Sequence, residues 1–157
     1  MGIRYSAYPV HPFDVAEALR CARCFLARER GPSEWEQGED LPRWLDLDKS
    51  WSGLHSLFEH SRFKANDAEL LVQGDVTHTS DGWIPHYAAL DPSAVRNVAR
   101  GIARFDEARV RSHVARQVWT IRDTEEEVLY LTHHLEAAKS FTRLLADKGY
   151  GLVYVIG

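Results

Sequence analysis

At 157 residues the chain has the length of one domain, and folding at that size buries about 70% of the unfolded chain's surface, so neither disulfide staples nor a structural metal is required. Hydrophobic residues make up 45% and charged residues 27%, which excludes a disordered chain, and the net charge of −4 excludes the global basic field of a general nucleic-acid binder. No run approaches the roughly 20 apolar residues of a membrane span, and residues 1–10 lack the basic-then-apolar pattern of a signal peptide, so the expected location is the cytoplasm.

Arginine outnumbers lysine 15 to 4, a bias that reads as coding from a GC-rich bacterial or phage genome and not as chemistry. Ile3, Tyr5 and Ala7 alternate with Arg4, Ser6 and Tyr8, and that period of two predicts an N-terminal strand, broken by Pro9 and Pro12. Asp14 is placed to cap a helix with Val15, Ala18, Leu19, Ala22, Phe25 and Leu26 on one face. This helix carries Cys21-Ala22-Arg23-Cys24. Redox pairs of this spacing put the first thiol at a helix N-terminus. Cys21 falls about two turns inside the predicted helix, so both cysteines are expected to be buried packing thiols.

Gly31 to Pro42 reads as a loop. Leu47, Trp51, Leu54 and Phe58 recur at helical spacing and predict a helix from near Asp48. Asp67 to Val72 fits either a short helix or a strand, Ser80-Asp81-Gly82 is a turn, and Trp83 to Ala89 is extended. Asp91-Pro92 is a helix start, with Val95, Val98, Ile102 and Phe105 as the buried stripe. Another helix is expected over Asp106–Val118. A long one follows, with Thr124-Glu125-Glu126-Glu127 as a capping box, Val128, Leu131, Leu135, Ala138, Phe141 and Leu145 inward, and Gly149 as its stop. Leu152 to Ile156 is a terminal strand suited to pair with the first. The expectation is a single α+β domain over residues 1–157, with several amphipathic helices packed on a small sheet that includes the N-terminal and C-terminal strands.

Chemistry concentrates in the run from Leu45 to His55. On a helix, Asp48 and His55 are seven apart and share a stripe, with Trp51 one turn from His55. A carboxylate aligned with an imidazole fixes its tautomer and raises its basicity. In that arrangement Asp48 orients, His55 moves the proton, and Asp46, Lys49 and Tyr87 are candidate ligand contacts. The structural alternative stays open: Asp46 or Asp48 caps the helix, Trp51 is core, and His55 bonds a backbone carbonyl.

The same run, Leu45-Asp46-Leu47-Asp48-Lys49-Ser50-Trp51-Ser52-Gly53-Leu54-His55, resembles the signature of the YfbM-like family of small bacterial proteins, a domain of unknown function. Further similarity lies in Met1-Gly2-Ile3, in Gly74, in Tyr87 followed by Leu90-Asp91-Pro92-Ser93-Ala94-Val95, and in the closing strand Leu152 to Ile156. The chain departs from the pattern at Asp75, where the family has a second glycine, at Phe58-Glu59-His60, and over residues 61–85. The resemblance implies an α+β fold and brings no established activity, cofactor or catalytic residue.

The eight histidines do not form a metal motif: His55 and His60 diverge on a helix, His133 and His134 are adjacent, and no H-E-x-x-H occurs, so no metal is expected. Arg96, Arg100 and Arg104 form an i, i+4, i+8 ridge suited to phosphates or an acidic partner, with the acidic stretch from Asp123 to Glu127 close behind in sequence. The common phosphate-loop, dinucleotide and nucleophile-elbow motifs are absent. The functional expectation is a cytoplasmic protein-interaction or regulatory module, with an immunity-type role among its forms, bound to another protein and using no cofactor and no membrane. A small-ligand binder or enzyme built on Asp46, Asp48, Lys49 and His55 is the alternative. Nucleic-acid binding along Arg96, Arg100 and Arg104 is the weaker one.

Overall fold

Two strands that are distant in sequence form the centre of the sheet. β1 (Tyr5–Val10) pairs antiparallel with β6 (Gly151–Ile156), from Tyr5 opposite Ile156 to Val10 opposite Gly151, as the terminal periodicities require. β2 (Leu45–Asp48) and β5 (His86–Leu90) flank them, giving the order β2-β1-β6-β5 with every pairing antiparallel. The structure, a computed structural model, describes residues 2–28, 41, 43–61, 67–117 and 123–157.

Pro9 does not break the first strand. Arg4 and Gly157 exchange both backbone hydrogen bonds, at 3.1 and 2.9 Å. Ladder alternation then makes Tyr8 a bonded position against β6 and turns the nitrogen of Pro9 away from it. On that other side β2 pairs only as far as Ala7, so Pro9 has no ladder position to fill there.

The sheet has two faces with different covers. Tyr5, Ala7, Leu152, Tyr154 and Ile156 face the main core. That side is closed by α3 (Ser50–Glu59), α4 (Pro92–Ile102), α5 (Glu107–Val114) and α6 (Thr124–Lys148). The expected helical stripes are the buried ones: Val95, Val98 and Ile102 on α4, and Val128, Leu131, Leu135, Ala138, Phe141 and Leu145 on α6. Asp91 caps α4 by accepting from the Ala94 amide at 2.7 Å, and Gly149 ends α6 at φ +73°. The cap of α6 is Asp123 and not Thr124, because the carboxylate one residue earlier takes the Glu125 amide at 2.9 Å.

The opposite face carries a smaller cluster of Val10, Ala18, Phe25 and Val153. It is covered by α1 (Val15–Arg20) and α2 (Ala22–Ala27), two short helices where the periodicity predicts one. The break falls at Cys21, with φ −155° and ψ 88°, and Cys21 and Cys24 are joined as a disulfide. The expectation of two buried thiols inside one helix is therefore corrected: Cys21 is the N-cap of α2, Cys21 is half-buried, and Cys24 is exposed.

Residues Asp67–Leu71 form a 3-10 helix, and β3 (Thr77–Thr79) and β4 (Gly82–Ile84) form an exposed hairpin around the expected Ser80-Asp81-Gly82 turn. The loop expected over Gly31–Pro42 lies, apart from Leu41, outside the described residues, and so does Val118 at the expected end of α5.

Two tyrosines of the central strands tie the 3-10 segment to the sheet. Their rings stack at 5.3 Å, the Tyr5 hydroxyl donates to the Leu71 carbonyl at 2.8 Å, and the Tyr154 hydroxyl donates to the Gln73 carbonyl at 2.7 Å. Burial, with the neighbouring Tyr154, pushes the Tyr5 phenol well above its ordinary range, and burial pushes Tyr154 up to about 12. In the unfolded chain both titrate near about 10, so above that pH the unfolded state gives up protons first and the native state loses its advantage. Stability is expected to be level below about pH 10 and to fall from there toward about 12. Urea midpoints measured across that window check this. Tyr154→Phe should cost about 1 kcal/mol at neutral pH and flatten the alkaline decline; a wild-type midpoint unchanged across about pH 10 contradicts the account.

Candidate functional site

The Leu45–His55 run folds as strand, turn and helix, which separates its polar groups. Asp48 ends β2 in the left-handed region at φ +45° and is not part of α3. It therefore shares no stripe with His55. The expected pair does not form: His55 Nε2 sits 3.6 Å from Glu69 Oε1, a partly exposed ion-pair contact on the other side of the motif.

The remaining polar ends are engaged in local structure. Asp46 Oδ1 accepts from the Asp48 amide at 2.7 Å, the Ser50 hydroxyl donates to the Leu47 carbonyl at 2.6 Å, and Ser52 donates to the Lys49 carbonyl at 3.3 Å. Trp51 Nε1 donates to the Ile3 carbonyl at 3.4 Å. A Cβ on Gly53 would stand 2.7 Å from a Leu131 methyl, so any larger residue there would force that side chain of α6 to move. Lys49 is exposed, with its chain lying against Gly2.

Asp48 is the node of this junction. Tyr130 of α6 donates to its Oδ2 at 3.1 Å, and Arg4 Nε lies 3.3 Å from its Oδ1. Burial pushes its carboxyl up, but the Tyr130 hydroxyl, Arg4 and Lys49 outweigh that and hold it below the ordinary carboxylate range. His134, one turn along α6 from Tyr130, is kept below its usual value by burial and then by His133; the Asp46 carbonyl and the two carboxylates oppose this only in part. The motif is thus a joint that fastens β2 and the N-terminus to α6.

Arg96 and Arg100 do line one groove, of about 670 Å³, between α4 and α6. It also holds Lys139, Arg143, Glu136 and Asp147, so both signs are mixed within it. Lys139 is bonded to Glu136 at 2.7 Å, and Arg100 is held by Asn97. Arg104 lies beyond the end of α4 and does not line the groove.

Tyr87 is the one expected site residue that enters a different kind of cavity. On the face of the sheet away from the main core, Tyr8 of β1, Val155 of β6 and Tyr87 of β5 lie side by side, with Tyr87 directly opposite Val155. Phe25, Leu26 and Ala27 of α2 rise on one side, and Trp44, just before β2, on another. They enclose about 630 Å³, a volume typical of small-molecule sites. Arg23, Arg28 and Arg43 also line it, and no carboxylate does among the described residues. Glu17 pairs with Arg28 from outside. Trp44 is 51% exposed, an unusual state for so large an apolar ring.

The model of a domain of unknown function, DUF1877, matches residues 1–155. The chain belongs to the DUF1877 family. Among solved structures it is similar to YfbM from Escherichia coli, a protein of unknown function, at a TM-score of 0.60 and 16% identity, covering 99% of this chain and 100% of that one. Comparison with curated proteins finds no match. The similarity to YfbM shows a shared fold. It carries no activity with it.

For this DUF1877 protein, Tyr87 is the one pocket residue that sequence reasoning singles out as a site candidate; Tyr8, Trp44, Arg23, Arg28, Arg43 and the others are not. One signal for them exists. Tyr8 lies on the Ser6 side of β1, out of phase with the core residues Tyr5 and Ala7, and a large aromatic ring on that side announces a second apolar face. Among the described residues, no three His, Cys, Asp or Glu side chains gather as a metal site, and no helix is long and apolar enough to cross a membrane.

The structural role of the motif is testable at Asp48. Asp48→Ala loses the Tyr130 bond and puts alanine at a positive φ, an expected cost of about 2–3 kcal/mol. Asp48→Asn keeps an acceptor and tolerates that backbone, and should cost about 1 kcal/mol or less. Urea unfolding of both variants checks the order. Equal losses would contradict it.

Proposed function

We propose that this protein is a non-covalent receptor for a small planar anion, an aromatic carboxylate or phosphate, held on the face of its sheet away from the main core, and that it works in the cytoplasm. The carrying observation is the pocket itself: two tyrosines and a tryptophan combined with three arginines and no carboxylate among the described lining residues. Aromatic faces accept a flat ring and also stack on guanidinium planes, while arginine pairs with carboxylate or phosphate oxygens through two parallel hydrogen bonds.

The other readings have less support. The Asp46, Asp48, Lys49 and His55 site is dispersed in the fold. The groove at Arg96 and Arg100 is offset by its own acidic residues. Among the described residues Phe13, Leu19, Trp44, Trp83, Ile84 and Leu129 are exposed large apolar side chains, and of these Trp44 lines the pocket.

Isothermal titration with 1-naphthoate tests the proposal, with 1-naphthalenemethanol as the uncharged analogue and cyclohexanecarboxylate as the non-planar one. Binding is expected for 1-naphthoate and about tenfold or more weaker for each analogue. Trp44→Ala and Arg23→Ala, both on exposed side chains, should each weaken 1-naphthoate binding by about tenfold while leaving the thermal midpoint near wild type. Equal affinity for the uncharged analogue, or no change on Trp44→Ala, contradicts the reading.

A further inference from the structure

Nothing in the residue types from Val15 to Ala27 stops a helix: the stretch has no glycine and no proline, and its apolar residues keep one helical face throughout. Yet the helix stops at Cys21 and restarts at Ala22. The break coincides with the bond between Cys21 and Cys24. Side chains three apart on a regular helix have Cβ atoms about 5–6 Å apart, whereas a disulfide brings them to about 3.8 Å. The crosslink and an unbroken helix exclude each other. With the crosslink in place, Cys21 leaves the helical region and acts as a cap at both ends: its amide donates to the Glu17 carbonyl at 3.1 Å, and its carbonyl accepts from Phe25 at 2.9 Å.

The bond is also reachable. Cys24 is exposed and Cys21 half-buried, and no other cysteine exists to exchange with them. It spans two intervening residues, so as a staple it constrains one of the shortest loops a disulfide can close. What it does fix is the direction of α2, and α2 supplies Arg23, Phe25, Leu26 and Ala27 to the pocket lining.

We propose that Cys21–Cys24 is a reversible redox centre that sets the affinity of the pocket; this rests on the ligand-receptor reading given above. A dithiol reductant supplies the electrons. One of its thiolates attacks Cys24 Sγ, the sulfur–sulfur bond breaks, and Cys21 leaves as a thiolate that takes up a proton. The reductant's second thiolate then displaces Cys24, which is also protonated, and the reductant departs as its own disulfide: two electrons and two protons are transferred in all. Freed from the crosslink, Cys21 enters the helical region and α1 and α2 join. The residues beyond it turn about the new axis, and Arg23 and Phe25 leave their places at the pocket. The oxidised protein binds; the reduced one does not.

The test compares the full chain oxidised, reduced with dithiothreitol, and as the double variant Cys21→Ser with Cys24→Ser. Two readouts are taken: amide hydrogen exchange at Ala22 and Arg23, and affinity for 1-naphthoate. Ala22 and Arg23 begin a helix in the oxidised form and have no earlier helical turn to donate to. Reduction is expected to slow their exchange about tenfold or more and to weaken 1-naphthoate binding about tenfold or more. The double variant should match the reduced protein. Exchange that is the same in both states overturns the proposal, and so does equal affinity. If the oxidised chain fails to bind 1-naphthoate, the receptor reading fails separately, and the exchange comparison still decides whether the pair governs the helix break.

Discussion

The register between β1 and β6 determines which chemistry each side of this molecule has. With Tyr5 opposite Ile156, the phenols of Tyr5 and Tyr154 fall under the helices and find carbonyls, while Tyr8 and Val155 fall on the far side. A slip of one residue would exchange the two sets. Two phenols would then lose their acceptors, and the floor of the pocket would become core. β6 is apolar on both faces from Leu152 to Ile156, so its own pattern does not choose the register; the acceptors that Tyr5 and Tyr154 find under the helices favour the observed one.

That constraint explains the asymmetry between the two faces. The long α6 and the capped α4 cover the core side of the central strands, since each presents an apolar stripe several turns long. Among the described residues the other face has α1 and α2, six residues each, and they cover the end near Val10 and Val153. What lies beyond their reach, between Tyr8 and Tyr87, is the pocket. Its aromatic lining follows from the sheet pattern, and its positive lining comes from the segments that border it.

Most of the architecture could be read from the residues because its determinants are local. Asp91-Pro92, Gly149 and the stripe from Val128 to Leu145 each announce themselves within a few positions. The site could not be read in this way, since its lining comes from five stretches that only the fold brings together. The polar density of the Leu45–His55 run misled for a physical reason. Leu47, Trp51, Leu54 and Phe58 are compatible with one helix, but Leu45 and Leu47 also alternate as a strand, and the left-handed Asp48 divides the two. At Cys21 the sequence pattern is helical, yet the helix breaks where the Cys21–Cys24 bond lies, a covalent constraint that no periodicity records.

Intermolecular nuclear Overhauser effects between 1-naphthoate and the oxidised protein test the central claim most directly, because they show which face holds a planar anion. Contacts from the ring protons to methyls of Val155, Leu26 and Ala27 are the predicted result, since these three line the pocket and carry methyl groups. Contacts instead to Tyr130 or His134, at the junction of β2 with α6, or an absence of contacts at Val155 with binding detected elsewhere, would contradict the assignment of function to this face of the sheet.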